Sequence, residues 1–252
     1  MDLGLSGKRA LVTGSTKGLG RAIAETLAAE GASVAICART PEDVEAAVAE
    51  MSAGGATVVG SAIDAANLDS VTEWINSSAE QLGGIDVYVH NTSAKPQRKL
   101  EDWSKNLDVD LVSLVGGVAA AKEALADGGG SLISIGTTAT AEHFASGSGR
   151  YSAFKAAVTN WTLGQAQVLG AEGIRCNVVS PGPIMVEGGD WDNIKGAMPD
   201  FYEATAKTHP GGALGVPQDV ANAVAFLAGD AARHVNGANL FVDGGFVKRV
   251  NY

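Results

Sequence analysis

Short apolar runs alternate with longer helical stretches along the whole chain, and this alternation restricts the fold more than any other feature. The runs are RALVTG (9–14), SVAIC (33–37), TVVGSAI (57–63), IDVYVH (85–90), SLISIG (131–136), IRCNVVS (174–180) and NLFVDGG (239–245). Helical stretches lie between them at 20–31, 41–53, 67–82, about 100–126, 150–171 and 217–229. In the first, Ile23 and Leu27 stand four apart and share an apolar face. The runs are apolar on both faces, which marks strands of a parallel sheet covered by helices on both sides. The alternation predicts an α/β fold, Rossmann-like and doubly wound, with a seven-stranded parallel sheet and helices on both faces. It reads as one domain over 1–252. Only 182–216, rich in Gly, Pro and Trp, breaks the rhythm. An excursion of that length predicts a lid over the binding site, about 186–213.

Composition closes off other classes. At 46% hydrophobic and 18% charged residues, the chain is too apolar to be disordered. A chain of this size buries roughly three quarters of its unfolded surface, so it needs no disulfide or metal staple, and no metal site is expected. No apolar run reaches the roughly 18 residues of a membrane span. The first residues lack a basic segment followed by an apolar one, so no secretory signal is expected. Cys37 and Cys176 sit in strand-like contexts and read as buried free thiols, which fits a cytoplasmic protein. A net charge of −10 with no basic stripe excludes a nucleic-acid partner.

The turn Thr13-Gly14-Ser15-Thr16-Lys17-Gly18-Leu19-Gly20 joins the first strand to the first helix. Glycines there allow a tight turn and close approach of backbone to a pyrophosphate, and the helix N-terminus offers unbonded N–H groups. Residues 14–20 are therefore expected to bind a dinucleotide. The second strand ends Cys37-Ala38-Arg39-Thr40. An acid at this point would bind the ribose hydroxyls of NAD. Arg39 and Lys17 instead match a 2′-phosphate, which predicts NADP(H) as cofactor. Asp64, followed by Ala65, is placed to receive the adenine amino group; its alternative role is a helix N-cap.

Tyr151-Ser-Ala-Phe-Lys155 opens a helical stretch. Residues four apart share a helix face. A free tyrosine titrates at about 10, and a neighbouring ammonium lowers that value. Tyr151 could then exchange a proton with a carbonyl or alcohol oxygen. With Thr-Gly-x3-Gly-x-Gly upstream, Asn177-Val-Val-Ser-Pro-Gly-Pro-Ile184 and Phe241-Val-Asp-Gly-Gly245 downstream, the chain resembles the short-chain dehydrogenase/reductase family over essentially its whole length, 3-oxoacyl reductase-like members among them. The resemblance implies that Tyr151 is the acid–base, that Lys155 also binds the nicotinamide ribose, and that Asn91, Pro181, Gly182 and Ile184 contact the cofactor.

Other positions depart from the family pattern. Its serine becomes threonine. Matching from the strand end selects Thr137, and counting back from Tyr151 selects Thr138; Thr137 is preferred. Its helix asparagine becomes Asp110, whose carboxylate near Lys155 would compete with Tyr151 for the ammonium. Asn-Asn-Ala-Gly becomes His90-Asn91-Thr92-Ser93, with His90 read as structural.

The expected reaction is NADP-dependent hydride transfer between nicotinamide and a ketone or secondary alcohol. The substrate is expected to be a small apolar or acyl molecule not carried on a protein. Reduction of 3-oxoacyl groups on an acyl carrier protein is the alternative. It needs a basic docking face, whereas acids stand at the ends of the fourth and fifth helical stretches. A weakly catalytic nucleotide-binding protein is the second alternative. Trp191, Ile194, Met198, Phe201 and Tyr202 follow helical spacing and could form one apolar face of a lid helix, over the substrate or on the core. Apolar residues on several faces of the fourth stretch and an apolar last strand predict a homotetramer, as the resemblance also implies.

Overall fold

The structure, a computed structural model, describes residues 1–94, 103–143 and 149–248. The strands are β1 (Arg9–Thr13), β2 (Ser33–Ala38), β3 (Val58–Ala62), β4 (Val87–His90), β5 (Gly130–Ile135), β6 (Ile174–Pro181) and β7 (Asn239–Val242). They form one parallel sheet in the order β3-β2-β1-β4-β5-β6-β7. Successive residues of a strand point to opposite faces. Val12, Ile36, Val89 and Ile133 are buried beneath α1 (Gly18–Ala29), α2 (Pro41–Ser52) and α9 (Pro217–Ala228). Leu11, Ala35, Tyr88 and Leu132 are buried on the other face beneath α3 (Leu68–Leu82), α5 (Ser113–Ala126) and α6 (Gly149–Leu169). The doubly wound, seven-stranded reading is borne out. Strand order reverses between β1 and β4, so a crevice opens at their carboxyl ends, where such sheets bind ligands.

Three local departures follow from identifiable chemistry. β7 stops at Val242, short of the expected 245, because the Asp243 carboxylate turns back onto the amides of Gly245 and Val247 (3.0 Å each). The fourth helical stretch is not uniform. Its residues 100–102 lie outside the described residues; from 103 it runs as α4 (Trp103–Asn106), a π-helical turn over Leu107–Val112, then α5. The Ser113 amide reaches back to the Asp108 carbonyl, one residue farther than in an α-helix. Such turns carry an inserted residue and often mark functional sites.

The lid aromatics do not form one helical face. The segment expected to form a lid holds two helices, α7 (Asp190–Ala197) and α8 (Pro199–Thr208), broken at Met198 (φ −140°, ψ 63°). Pro199 disfavours helical geometry at the residue before it. Trp191 and Phe201 instead stack across the break (6.1 Å, 7° between planes). Among the described residues no helix is long and apolar enough to cross a membrane.

His90, at the end of β4, is fully buried. Its Nε2 lies 2.9 Å from Ser113 Oγ, and Ser113 donates its hydroxyl hydrogen to the Val109 carbonyl (2.7 Å). Ser113 can therefore only accept, so His90 carries a proton on Nε2. The bond ties β4 to the π turn and α5. Burial, with the Lys155 ammonium nearby, pushes the imidazole down to about 3, partly offset by Asp110. In the unfolded chain it titrates near its ordinary 6.5. Above that pH both states are neutral; below it the unfolded chain takes up the proton first, so stability is lost as pH falls from about 6.5 towards 3. Denaturant melts between about pH 7 and pH 4 should show a steep decline for the native chain and a shallower one for His90→Asn. Parallel declines would show that His90 does not carry this linkage.

Candidate active site

The phosphate loop is shaped by three glycines and an asparagine. Gly14 and Gly18 both have φ of 62°, a left-handed conformation costly for other residues. At Gly20 a Cβ would collide with the Gly14 carbonyl and the Asn91 amide. Asn91, just beyond β4, donates Nδ2 to the carbonyls of Thr13 (3.0 Å) and Gly14 (2.9 Å). Thr13 Oγ1 accepts the amides of Asn91 (2.9 Å) and Thr92 (3.1 Å). α1 starts at Gly18 with no side-chain cap, and its first N–H groups have no intrahelical acceptor. This bare, pinned backbone fits a dinucleotide pyrophosphate. Thr16, Gly18 and Leu19 keep part of their surface open.

Ser15 behaves differently from its neighbours. It is wholly buried, its hydroxyl donates to the Val12 carbonyl (2.6 Å) and accepts the Cys37 amide (3.3 Å), and its own amide bonds the Cys37 carbonyl (3.0 Å). It shapes the loop and offers neither hydroxyl nor amide to a ligand.

At the adenosine end, Arg39 is exposed just after β2. Lys17 is exposed too, but its ammonium pairs with Asp43 in the first turn of α2 (3.2 Å). The sequence reading missed this partner because it lies 26 residues away, across two elements. Asp64 accepts the Ala66 amide (3.0 Å) in a turn that includes Ala65, and Asn67, not Asp64, caps α3 through the Ser70 amide (3.2 Å). Pro181 ends β6. The Gly182 amide bonds the Val242 carbonyl (3.0 Å), and buried Ile184 bridges to Gly215, fixing the base of the lid.

The catalytic candidates converge at the carboxyl ends of β4, β5 and β6. Lys155 is buried; its Nζ donates to the Ile135 carbonyl (2.9 Å) and lies 3.5 Å from Asp110 Oδ1. Asp110 is fully buried, and its other oxygen accepts Asn106 Nδ2 (3.0 Å) and the Ala94 amide (3.2 Å). Burial lowers the Lys155 pKa, opposed by Asp110. Thr137, at the end of β5, hydrogen-bonds the Tyr151 hydroxyl and accepts the Ala139 amide (3.2 Å). Thr138 is buried in the next turn. The geometry thus brings Thr137, Tyr151, Lys155 and Asp110 together. Burial pushes the Tyr151 phenol up to about 12; Thr137 opposes this, while Asp110 and Asp190 reinforce it. Asp190, at the start of α7, is a neighbour that sequence spacing gave no means of finding. The lid also touches the loop: a Cβ at Gly18 would lie 3.4 Å from Val186.

The chain is similar to known proteins over nearly all of its length. A family model described as enoyl-(acyl carrier protein) reductase matches residues 14–247. Isoepoxydon dehydrogenase of Penicillium expansum is 36% identical, with 97% of this chain and 96% of that protein covered. The 3-oxoacyl-[acyl-carrier-protein] reductase of Escherichia coli is 32% identical over 96% of this chain and 98% of its own. A short-chain dehydrogenase from Burkholderia cenocepacia, solved in complex with NADP, superposes with a TM-score of 0.85 at 34% identity, covering 96% and 98% of the two chains. Sheet order, loop and site together with these matches lead to one conclusion: the chain belongs to the short-chain dehydrogenase/reductase family and is an oxidoreductase acting on alcohol or ketone groups.

Proposed function

We propose that the protein is an NADP(H)-dependent carbonyl/alcohol oxidoreductase acting on a small apolar or acyl substrate, as one cytoplasmic domain over 1–252 with a lid at about 186–213. The observation that carries the reading is the convergence of Tyr151, hydrogen-bonded to Thr137, with buried Lys155 at the carboxyl end of β5. Gly14 and residues 16–20, in a turn that Ser15 shapes and Asn91 backs, hold the pyrophosphate; Pro181, Gly182 and Ile184 line the nicotinamide side; Arg39 and Lys17 face the 2′-phosphate; Asp64 and Ala65 lie by the adenine. The bound cofactor supplies or accepts hydride at the nicotinamide ring. Thr137 and Tyr151 hydrogen-bond the substrate oxygen, and Tyr151 exchanges the proton with it. Lys155, held by the Ile135 carbonyl, reaches the cofactor ribose.

A carrier-protein substrate is disfavoured. Lys122, the cation at the end of α5, is already paired with Glu172 (2.8 Å), so that end offers no free positive patch to an acidic partner.

Tyr151→Phe should lower turnover at least about a hundredfold in a ketone assay while NADPH affinity stays near native. Wild-type turnover in that variant would sink the acid–base role. Arg39→Asp should weaken NADPH binding about tenfold or more and leave NADH binding nearly unchanged, by fluorescence titration, since it removes a charge-assisted bond and adds repulsion. Equal NADPH affinity would refute the 2′-phosphate role. The assembly is a homotetramer: Leu107 and Val115 on the α4–α5 rod, Val168 on α6 and Leu240 on edge strand β7 are exposed apolar side chains in the single chain. Light scattering should give about four times the 25.5 kDa chain mass; a monomer mass would contradict it.

A further inference from the structure

The charges around Tyr151 have an unusual balance. Two cations share its helix: Lys155, one turn away and buried, and Arg150, the preceding residue, whose guanidinium lies over the Trp103 ring (5.8 Å). Asp110 faces Lys155 from the π turn at 3.5 Å, and Asp190 faces the phenol from α7. Thr137 from β5 is a neutral hydroxyl, and His90 from β4 is neutral, with its proton shared with Ser113. Asp110 is surrounded by donors: the ammonium of Lys155, the amide of Asn106 and the backbone N–H of Ala94. Three donors among the described residues suit an ionised carboxylate. A lone ammonium is what makes a neighbouring phenol more acidic. Here the ammonium is already matched by a buried carboxylate, and a second carboxylate stands on the lid side.

We propose that Asp110 is a positioning residue that neutralises Lys155 and keeps Tyr151 in its protonated form, so that this chain works as a carbonyl reductase and oxidises alcohols only at strongly alkaline pH. The inference rests on the proposed role of Tyr151. In reduction the Tyr151 O–H bond breaks and its proton goes to the substrate oxygen. Hydride from the reduced dinucleotide adds to the carbonyl carbon, so the carbonyl is reduced to an alcohol and the dinucleotide is oxidised. The phenolate left behind is strongly basic and recovers its proton from water. In the reverse direction the phenolate must exist before it can take the alcohol proton. The raised pKa of Tyr151 agrees with this scheme, as burial and both carboxylates disfavour the phenolate.

Phenolate formation can be read without substrate or turnover. Near-ultraviolet titration of the full chain, with the Tyr151→Phe curve subtracted, isolates Tyr151 from Tyr88, Tyr202 and Tyr252. Tyr151 should stay protonated up to at least about pH 10, the ordinary value for the side chain. In Asp110→Asn the midpoint should fall by about one pH unit or more, since an opposing charge is then unmasked, and Asp110→Glu should stay alkaline. The pH of half-maximal alcohol oxidation should move with the midpoint. A wild-type midpoint near neutrality overturns the proposal even if Asp110→Asn does not fold, and so does an unchanged midpoint in a folded Asp110→Asn. Either failure leaves hydride transfer through Tyr151 standing. Native turnover of Tyr151→Phe would instead remove the reading beneath the proposal.

Discussion

The contact between Asn91 and the turn after β1 is the constraint on which the rest of the site depends. One side-chain amide holds two successive carbonyls, Thr13 and Gly14, while the Thr13 hydroxyl takes two amides from beyond β4. These bonds lock together the two strands that flank the crevice. They work only if backbone comes very close to backbone, which is why Gly20 has no room for a Cβ. With that junction fixed, α1 points its N-terminus at the crevice and β4 ends with His90 against α5.

A second layer follows from β4. His90 and Ser113 fix how the π turn sits on the sheet, and the π turn aims Asp110 inward at Lys155. Removing two opposite charges from water is costly, and a pair at 3.5 Å offsets that cost only with further hydrogen bonds. The Ile135 carbonyl serves Lys155, and Asn106 and the Ala94 amide serve Asp110. Removing one partner would leave the other buried and unmatched. Breaking the pair would therefore destabilise the site.

The lid is built on different terms. Its base is held by backbone bonds between Pro183–Met185 and Gly215, whereas α7 and α8 carry few buried side chains. Phe201 is about half exposed at 49%, although stacked on Trp191. His209, at the end of α8, is buried and stacks on Phe246 (4.7 Å), tying the lid to the segment after β7.

The sheet and its two helical layers were legible because periodicity and punctuation are local. Strands apolar on both faces can lie only in a covered parallel sheet, and the glycine turn needs only its immediate neighbours to be recognised. Tyr151 and Lys155 were legible for the same reason, being one helical turn apart. What escaped the sequence depends on partners distant along the chain. Lys17 looked free until α2 brought Asp43 beside it, and Ser15 looked like a ligand until β2 closed over its hydroxyl. The lid residues kept helical spacing through a proline that breaks the helix, because spacing does not report backbone geometry. The sequence by itself determined the fold, the glycine turn and the placing of Tyr151 and Lys155 one helical turn apart. Only the tertiary structure decided which charges surround that pair, because electrostatic energy depends on distance in space and on burial, and neither is written in residue order.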